Sequence, residues 1–229
     1  MDIGIDAPAG SPRKHPVWVT LALIQGISAP ILFFLVAFVG GLLRPGYSHV
    51  SQAISELTEA GAVNKVYLDL ALLVMEVLTI LFGLGFYWVV RTASWRLRSS
   101  AALMVLIGSV GLLFYRYPMD PMGTDMTPDG RMHLIIVTVS AVAAILGVLL
   151  SARGWASVSG GRGIARMCYV VLAAMLFSGV AAALVGSQGL PGIGIWQRIN
   201  TGAFSAWQIA TAIYLLRPGV SEMFLDTLE

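Results

Sequence analysis

No residue from Val17 to Leu43 carries a charge, and the run is long enough to cross a lipid bilayer. Crossing takes about 20 mainly apolar residues in a helix. A secretory leader has a much shorter apolar centre and ends at a small-residue cleavage site. Arg13 and Lys14 therefore read as the flanking charges of a retained span. Five further segments repeat the pattern, at roughly 66–90, 100–117, 132–152, 167–187 and 199–216. None alternates apolar and polar residues as a membrane strand would. The expected fold is all-α: an integral membrane bundle of six helices over 17–216, between tails at 1–16 and 217–229.

Composition supports this. Charged residues make up 11% and hydrophobic ones 57%, whereas a soluble domain is nearer 25% charged. One cysteine, Cys168, excludes an intrachain disulfide and cysteine-cluster metal sites. No basic run is long enough to track a nucleic-acid backbone, and no phosphate-binding loop is present, so neither nucleic acid nor nucleotide is expected. Membrane lipids are the expected partners.

Lys and Arg set the expected threading. Arg13, Lys14, Arg91, Arg96, Arg98, Arg153, Arg162, Arg166 and Arg217 flank one side, nine of the fourteen basic residues. Arg44, Lys65, Arg116, Arg131 and Arg198 flank the other. The positive-inside rule puts the nine in the cytoplasm with both termini, and the compact loops suit the plasma membrane of a prokaryote.

Chemistry then concentrates on the outer side. The segment 44–65 holds His49, Glu56 and Glu59, and 118–133 holds Asp120, Asp125, Asp129 and His133. At 100° per residue, 48–60 separates an apolar side (Val50, Ala53, Ile54, Leu57) from strips of serines and of His49, Gln52, Glu56 and Glu59. That predicts an amphipathic surface helix, with Asn64 as N-cap of the second span. Arg116, Asp120 and His133 lie close along the chain. His49, Asp120 and His133 together form a candidate ligand set for zinc or another divalent ion, or an acid–base group. No established metal or hydrolase spacing supports either role. Within the second span, Glu76 sits about 15 Å from the outer end at 1.5 Å per residue. An acid at that depth marks a candidate site for proton coupling or ligand binding, or a hydrogen bond between helices.

Two stretches carry a family likeness. One is Arg44-Pro45-Gly46-Tyr47 with the run from Tyr47 to Leu57 and then Ala60-Gly61-Ala62. The other is Tyr117-Pro118-Met119-Asp120-Pro121 with Thr127, Gly130 and His133. Over roughly 15–216 the chain resembles the bacterial and archaeal membrane family known as domain of unknown function 998. The resemblance implies a six-span bundle and leaves the activity unassigned. Its motif positions fall on Arg44, Pro45, Gly46, Tyr47, Ser55, Pro118, Asp120, Gly130 and His133, while Met119 stands where many relatives have a small or thiol side chain.

Three functional readings follow. One is binding or processing of a lipid or small amphiphile in an outward polar pocket lined by Arg44, Tyr47, His49, Ser55, Glu56, Arg116, Asp120 and His133. Another is a proton-coupled transporter using Glu76. The third is a structural assembly partner. Whether the chain is an enzyme stays open at this stage, with a divalent metal as candidate cofactor.

Overall fold

The computed structural model describes residues 15–220 and Phe224. Arg13, Lys14 and most of both predicted tails lie outside the described residues. The described chain is all-α, with no strand among those residues. Its helices are α1 (Val17–Leu43), α2 (Lys65–Val89), α3 (Trp95–Gly111), α4 (Pro128–Ala156), α5 (Arg162–Ser187) and α6 (Ile193–Leu215). Short 3-10 turns occupy Ile54–Thr58 and Leu112–Tyr115.

Each helix packs on the next, and α6 returns to α1, which closes a ring. Short connections force antiparallel neighbours. The two long connections, 44–64 and 116–127, fall at the same end. Small residues bring the helices close, as expected where lipid supplies no hydrophobic drive between them. A Cβ on Gly85 would lie 2.8 Å from that of Ala22, and one on Gly83 would lie 2.8 Å from the Val105 amide nitrogen.

The large core side chains cluster at the end opposite the long loops. Phe82, Phe86, Leu97, Met104, Trp155, Trp207 and Leu215 are fully buried there. At the loop end the core is a small satellite of Val36, Leu57 and Leu68. The outer faces stay apolar: Ile31, Leu35, Val170, Phe177 and Val180 are all exposed. Such faces suit hydrocarbon rather than water.

Among the described residues five helices are long and apolar enough to cross a membrane, α3 together with its 3-10 extension to Tyr115, and α6 is the exception. Its 23 residues suffice in length, but Gln197, Arg198, Asn200 and Gln208 lower its hydropathy. The expected sixth span is thus a helix whose apolar character is diluted by buried polar side chains such as Gln208.

Two expectations about the loop end are corrected. Residues 48–60 do not form an amphipathic helix. They are turns around the single 3-10 stretch Ile54–Thr58, because the side chains of Arg44, just after α1, and Arg198 of α6 take up backbone carbonyls that a helix would use internally. The fourth helix begins before residue 132. Pro128 occupies the first helical position, and the Thr127 hydroxyl accepts from the Gly130 amide at 3.1 Å, a favourable start for a helix. Asp129 and His133 therefore sit in the first turns of α4. Asn64 does stand at the N-cap of α2, but its amide donates to the Leu43 carbonyl and does not cap its own helix.

Candidate functional site

The cap over the loop end is built from residues 44–64 and the start of α6. Pro45 and Gly46, with Gly46 at φ 75°, reverse the chain after α1. The reversal lays Tyr47 and His49 back over Gly41, where a Cβ would lie 2.4 Å from His49 Cε1. The His49 ring stacks on Phe38 at 5.9 Å and meets the Tyr47 ring edge-on at 5.2 Å.

Arg198 ties this segment to α6. Its guanidinium donates to the Tyr47 hydroxyl and His49 Nδ1, both at 2.9 Å, and to the Gln52 and Gly194 carbonyls at 3.2 and 3.1 Å. Acceptance at Nδ1 leaves the His49 proton on Nε2, which is buried and has no partner among the described residues. The Tyr47 hydroxyl donates onward to the Ala53 carbonyl at 2.8 Å. Burial raises its pKa above the ordinary phenol value despite Arg198, so the proton stays in place. Gln197 Oε1 accepts from the Ile54 amide at 2.9 Å, and the Ile195 amide donates to the Val50 carbonyl at 2.9 Å.

Glu56 organises the 3-10 turn from inside. It is only 5% exposed. Its carboxylate accepts from the Ala53 amide and the Gln52 side chain, both at 2.7 Å. Arg44 donates to the Glu56 carbonyl and pairs with Glu59 at 2.5 Å. The strip His49, Gln52, Glu56 and Glu59 thus turns into the protein.

A second cluster sits on the 116–127 loop. Asp120 accepts from the Thr127 amide at 2.8 Å and its hydroxyl at 2.7 Å. Those bonds hold its carboxyl below the usual pKa. Arg116 pairs with Asp129 at 3.1 Å, and His133 Nδ1 bonds the Tyr117 carbonyl at 3.0 Å. Met119 joins the clusters: its carbonyl accepts from the Ala60 amide at 2.9 Å, and its sulfur accepts from the Ser55 hydroxyl at 3.1 Å.

Arg44, Tyr47, His49 and Glu56 are therefore brought together, Ser55 lies on the seam, and Arg116, Asp120 and His133 form the neighbouring group. The proposed metal set is a correction. Among the described residues no three His, Cys, Asp or Glu side chains gather to hold an ion. His49 is turned toward Arg198, while Asp120 and His133 face the other loop, so the three do not form one ligand set. Glu76 stands apart from both clusters. Its carboxylate presses on Gly111 of α3, where a Cβ would come within 2.2 Å of the carboxyl carbon. It makes no hydrogen bond or ion pair among the described residues.

Arg198, Gln197 and Gly194 are the site residues that sequence reasoning missed. A signal was available, because Arg198 is the only charge between Arg166 and Arg217. A lone cation at the head of an apolar segment needs a polar neighbour.

Beneath the cap lies a narrow apolar cleft between α1 and α2. Phe33, Val36, Ala37, Leu68 and Leu72 line it, with Ile54, Leu57 and Thr58 as its roof. The residues that fasten the cap therefore also hold this roof.

The cap is expected to be acid-sensitive through His49. Burial first, then the Arg198 charge, lowers the His49 pKa below its ordinary value of 6.5. The folded state favours the neutral ring, so His49's contribution is complete above the unfolded value and is lost as pH falls through that value toward the folded one. Limited proteolysis within 44–64 should accelerate between pH 7.5 and 5.5 in the wild type. His49→Gln should remove most of that step. A wild-type rate that is flat across this range would refute the assignment.

A family model described as Protein of unknown function (DUF998) matches residues 27–214, which is most of the chain. No curated protein and no solved structure matches.

Proposed function

The chain belongs to the DUF998 family, and from that premise we propose that it is a multi-pass membrane protein that binds a lipid or small amphiphile under its polar cap. The observation that carries this reading is the apolar cleft roofed by the cap's own 3-10 turn. An acyl chain between α1 and α2 would replace contacts among Phe33, Leu57 and Leu68. Its headgroup would lie at the rim, beside the Arg44–Glu59 and Lys65–Asp69 pairs. Bound lipid would then report on whether the cap is closed. The unequal distribution of basic residues supports the cap facing outward, with both termini cytoplasmic, in a prokaryotic plasma membrane. Binding is the activity that this arrangement favours.

The second reading, a proton-coupled transporter, draws support from the Glu76 carboxylate between α2 and α3, which has no partner among the described residues. One assay separates the two. Full-length protein is released from nanodiscs of phosphatidylethanolamine and phosphatidylglycerol, and retained lipid is counted by native mass spectrometry. Ala37, 5% exposed in the cleft, is replaced by Trp. Ala37→Trp should retain at least about tenfold less lipid, equivalent to about 1.4 kcal/mol, while Glu76→Gln should retain as much as wild type. Full retention by a folded Ala37→Trp protein would end the cleft reading. Loss with Glu76→Gln alone would move the weight to the transporter.

A further inference from the structure

The half of the bundle remote from the cap contains donors that the described residues leave without acceptors. Trp155 and Thr211 are fully buried, and Gln208 is 3% exposed. Among the described residues Trp155 Nε1, Gln208 Nε2 and Thr211 Oγ1 all lack a hydrogen-bond partner. Most buried polar groups in native proteins are paired. Two of these orphans, Trp155 on α4 and Thr211 on α6, sit on touching helices and call for one explanation.

The helix register places them together. α4 and α6 run in the same direction and are in contact. The Trp207 indole donates to Ser151 at 3.3 Å, which fixes their relative level. Four residues further along each helix, about one turn, come Trp155 and Thr211. The Trp155 ring meets Tyr214, three residues beyond Thr211, at 5.0 Å. Gln208 follows Trp207 directly and so points about 100° away from it around α6, toward the side where Ala212 meets Gly26 of α1, which sets its amide apart from the other two. Those two are an indole N–H and a hydroxyl that can donate or accept.

We propose that this level of the α4–α6 interface is an internal hydration site. It takes a water molecule, which accepts from Trp155 and bonds with Thr211. Its water is a structural bridge between α4 and α6, because a buried water typically makes about three such bonds. The assignment does not depend on the lipid reading, since the cleft lies at the other end of the bundle.

The probe is water itself. The full chain is labelled with 15N at tryptophan, placed in lipid bilayers, and examined by water-edited solid-state NMR. Trp155→Phe identifies the relevant indole signal. Trp207 is an internal reference, because it is equally buried but bonded to Ser151. The Trp155 indole should receive polarisation from water several times faster than the Trp207 indole. Equal, slow transfer at both would overturn the proposal. Thr211→Val gives an independent readout, expected to lower the melting midpoint by about 2–4 °C, with Thr211→Ser near wild type. A Thr211→Val midpoint equal to or above wild type would also overturn it, because the hydroxyl would then have been buried with no partner to lose.

Discussion

Replacing Arg198 by alanine should detach the cap from α6 and lower the melting midpoint by about 5–15 °C. The reasoning starts from what the guanidinium satisfies. It supplies four hydrogen bonds, to the Gln52 and Gly194 carbonyls, the Tyr47 hydroxyl and His49 Nδ1. With alanine the Gly194 carbonyl keeps its α6 ladder bond and the Gln52 carbonyl keeps the Tyr47 hydroxyl at 3.4 Å, but the Tyr47 oxygen and His49 Nδ1 lose their donor in a partly buried setting, where each unsatisfied group costs about 1–3 kcal/mol before relaxation. Solvent and movement of the loop recover part of this, so a net loss of about 2–4 kcal/mol is expected. For a chain of this size each kcal/mol moves the midpoint by about 2–4 °C. Arg198→Lys should fall between, because an ammonium cannot spread over four acceptors as a planar fork does. The check is a thermal melt in detergent combined with limited proteolysis. New cleavage should appear within 44–64, and α1 and α2 should stay protected. A midpoint within about 1 °C of wild type would mean that Arg198 does not hold the cap.

The dependence on Arg198 also shows what a sequence of this kind reveals. The helices were legible because a bilayer demands long apolar runs, and Val17–Leu43 falls where the uncharged stretch predicts. The fold class and family follow from the same signal together with the Arg44–Tyr47 and Tyr117–Pro121 stretches. The cap was less legible, for a physical reason. Periodicity at 48–60 is helical, yet the segment's carbonyls go to Arg44 and Arg198, which lie outside the window that periodicity samples. Local pattern identified Glu56 and His49 as polar. It carried no information that Glu56 turns inward to its own turn, or that His49 meets a residue 149 positions away. The metal set failed for the same reason: it joined residues from two loops that touch at Met119 but not at His49.

Gly194→Ala should open the cap at least as far as Arg198→Ala, and it tests the same contact from the backbone side. Gly194 is buried in the first turn of α6, under the 44–64 segment. A Cβ there would lie 2.2 Å from the Gln52 carbonyl oxygen, 2.7 Å from that of His49 and 2.9 Å from Arg198 Nη1. The first two are backbone atoms held by the cap's own bonds, so no side chain can swing aside to make room. The methyl must push residues 49–52 away from α6, which strains the Ile195–Val50 hydrogen bond and the Arg198 bonds together. Overpacking at a fixed contact costs about 1–3 kcal/mol or more, and the lost bonds add to that. The decisive comparison is the double variant. If both changes act by lifting the same cap, Gly194→Ala with Arg198→Ala should be little worse than the more damaging single change, because a detached cap cannot be detached again. Full additivity of the two midpoint shifts would mean that the residues act at independent places, and the cap could not then be treated as one unit fastened to the head of α6.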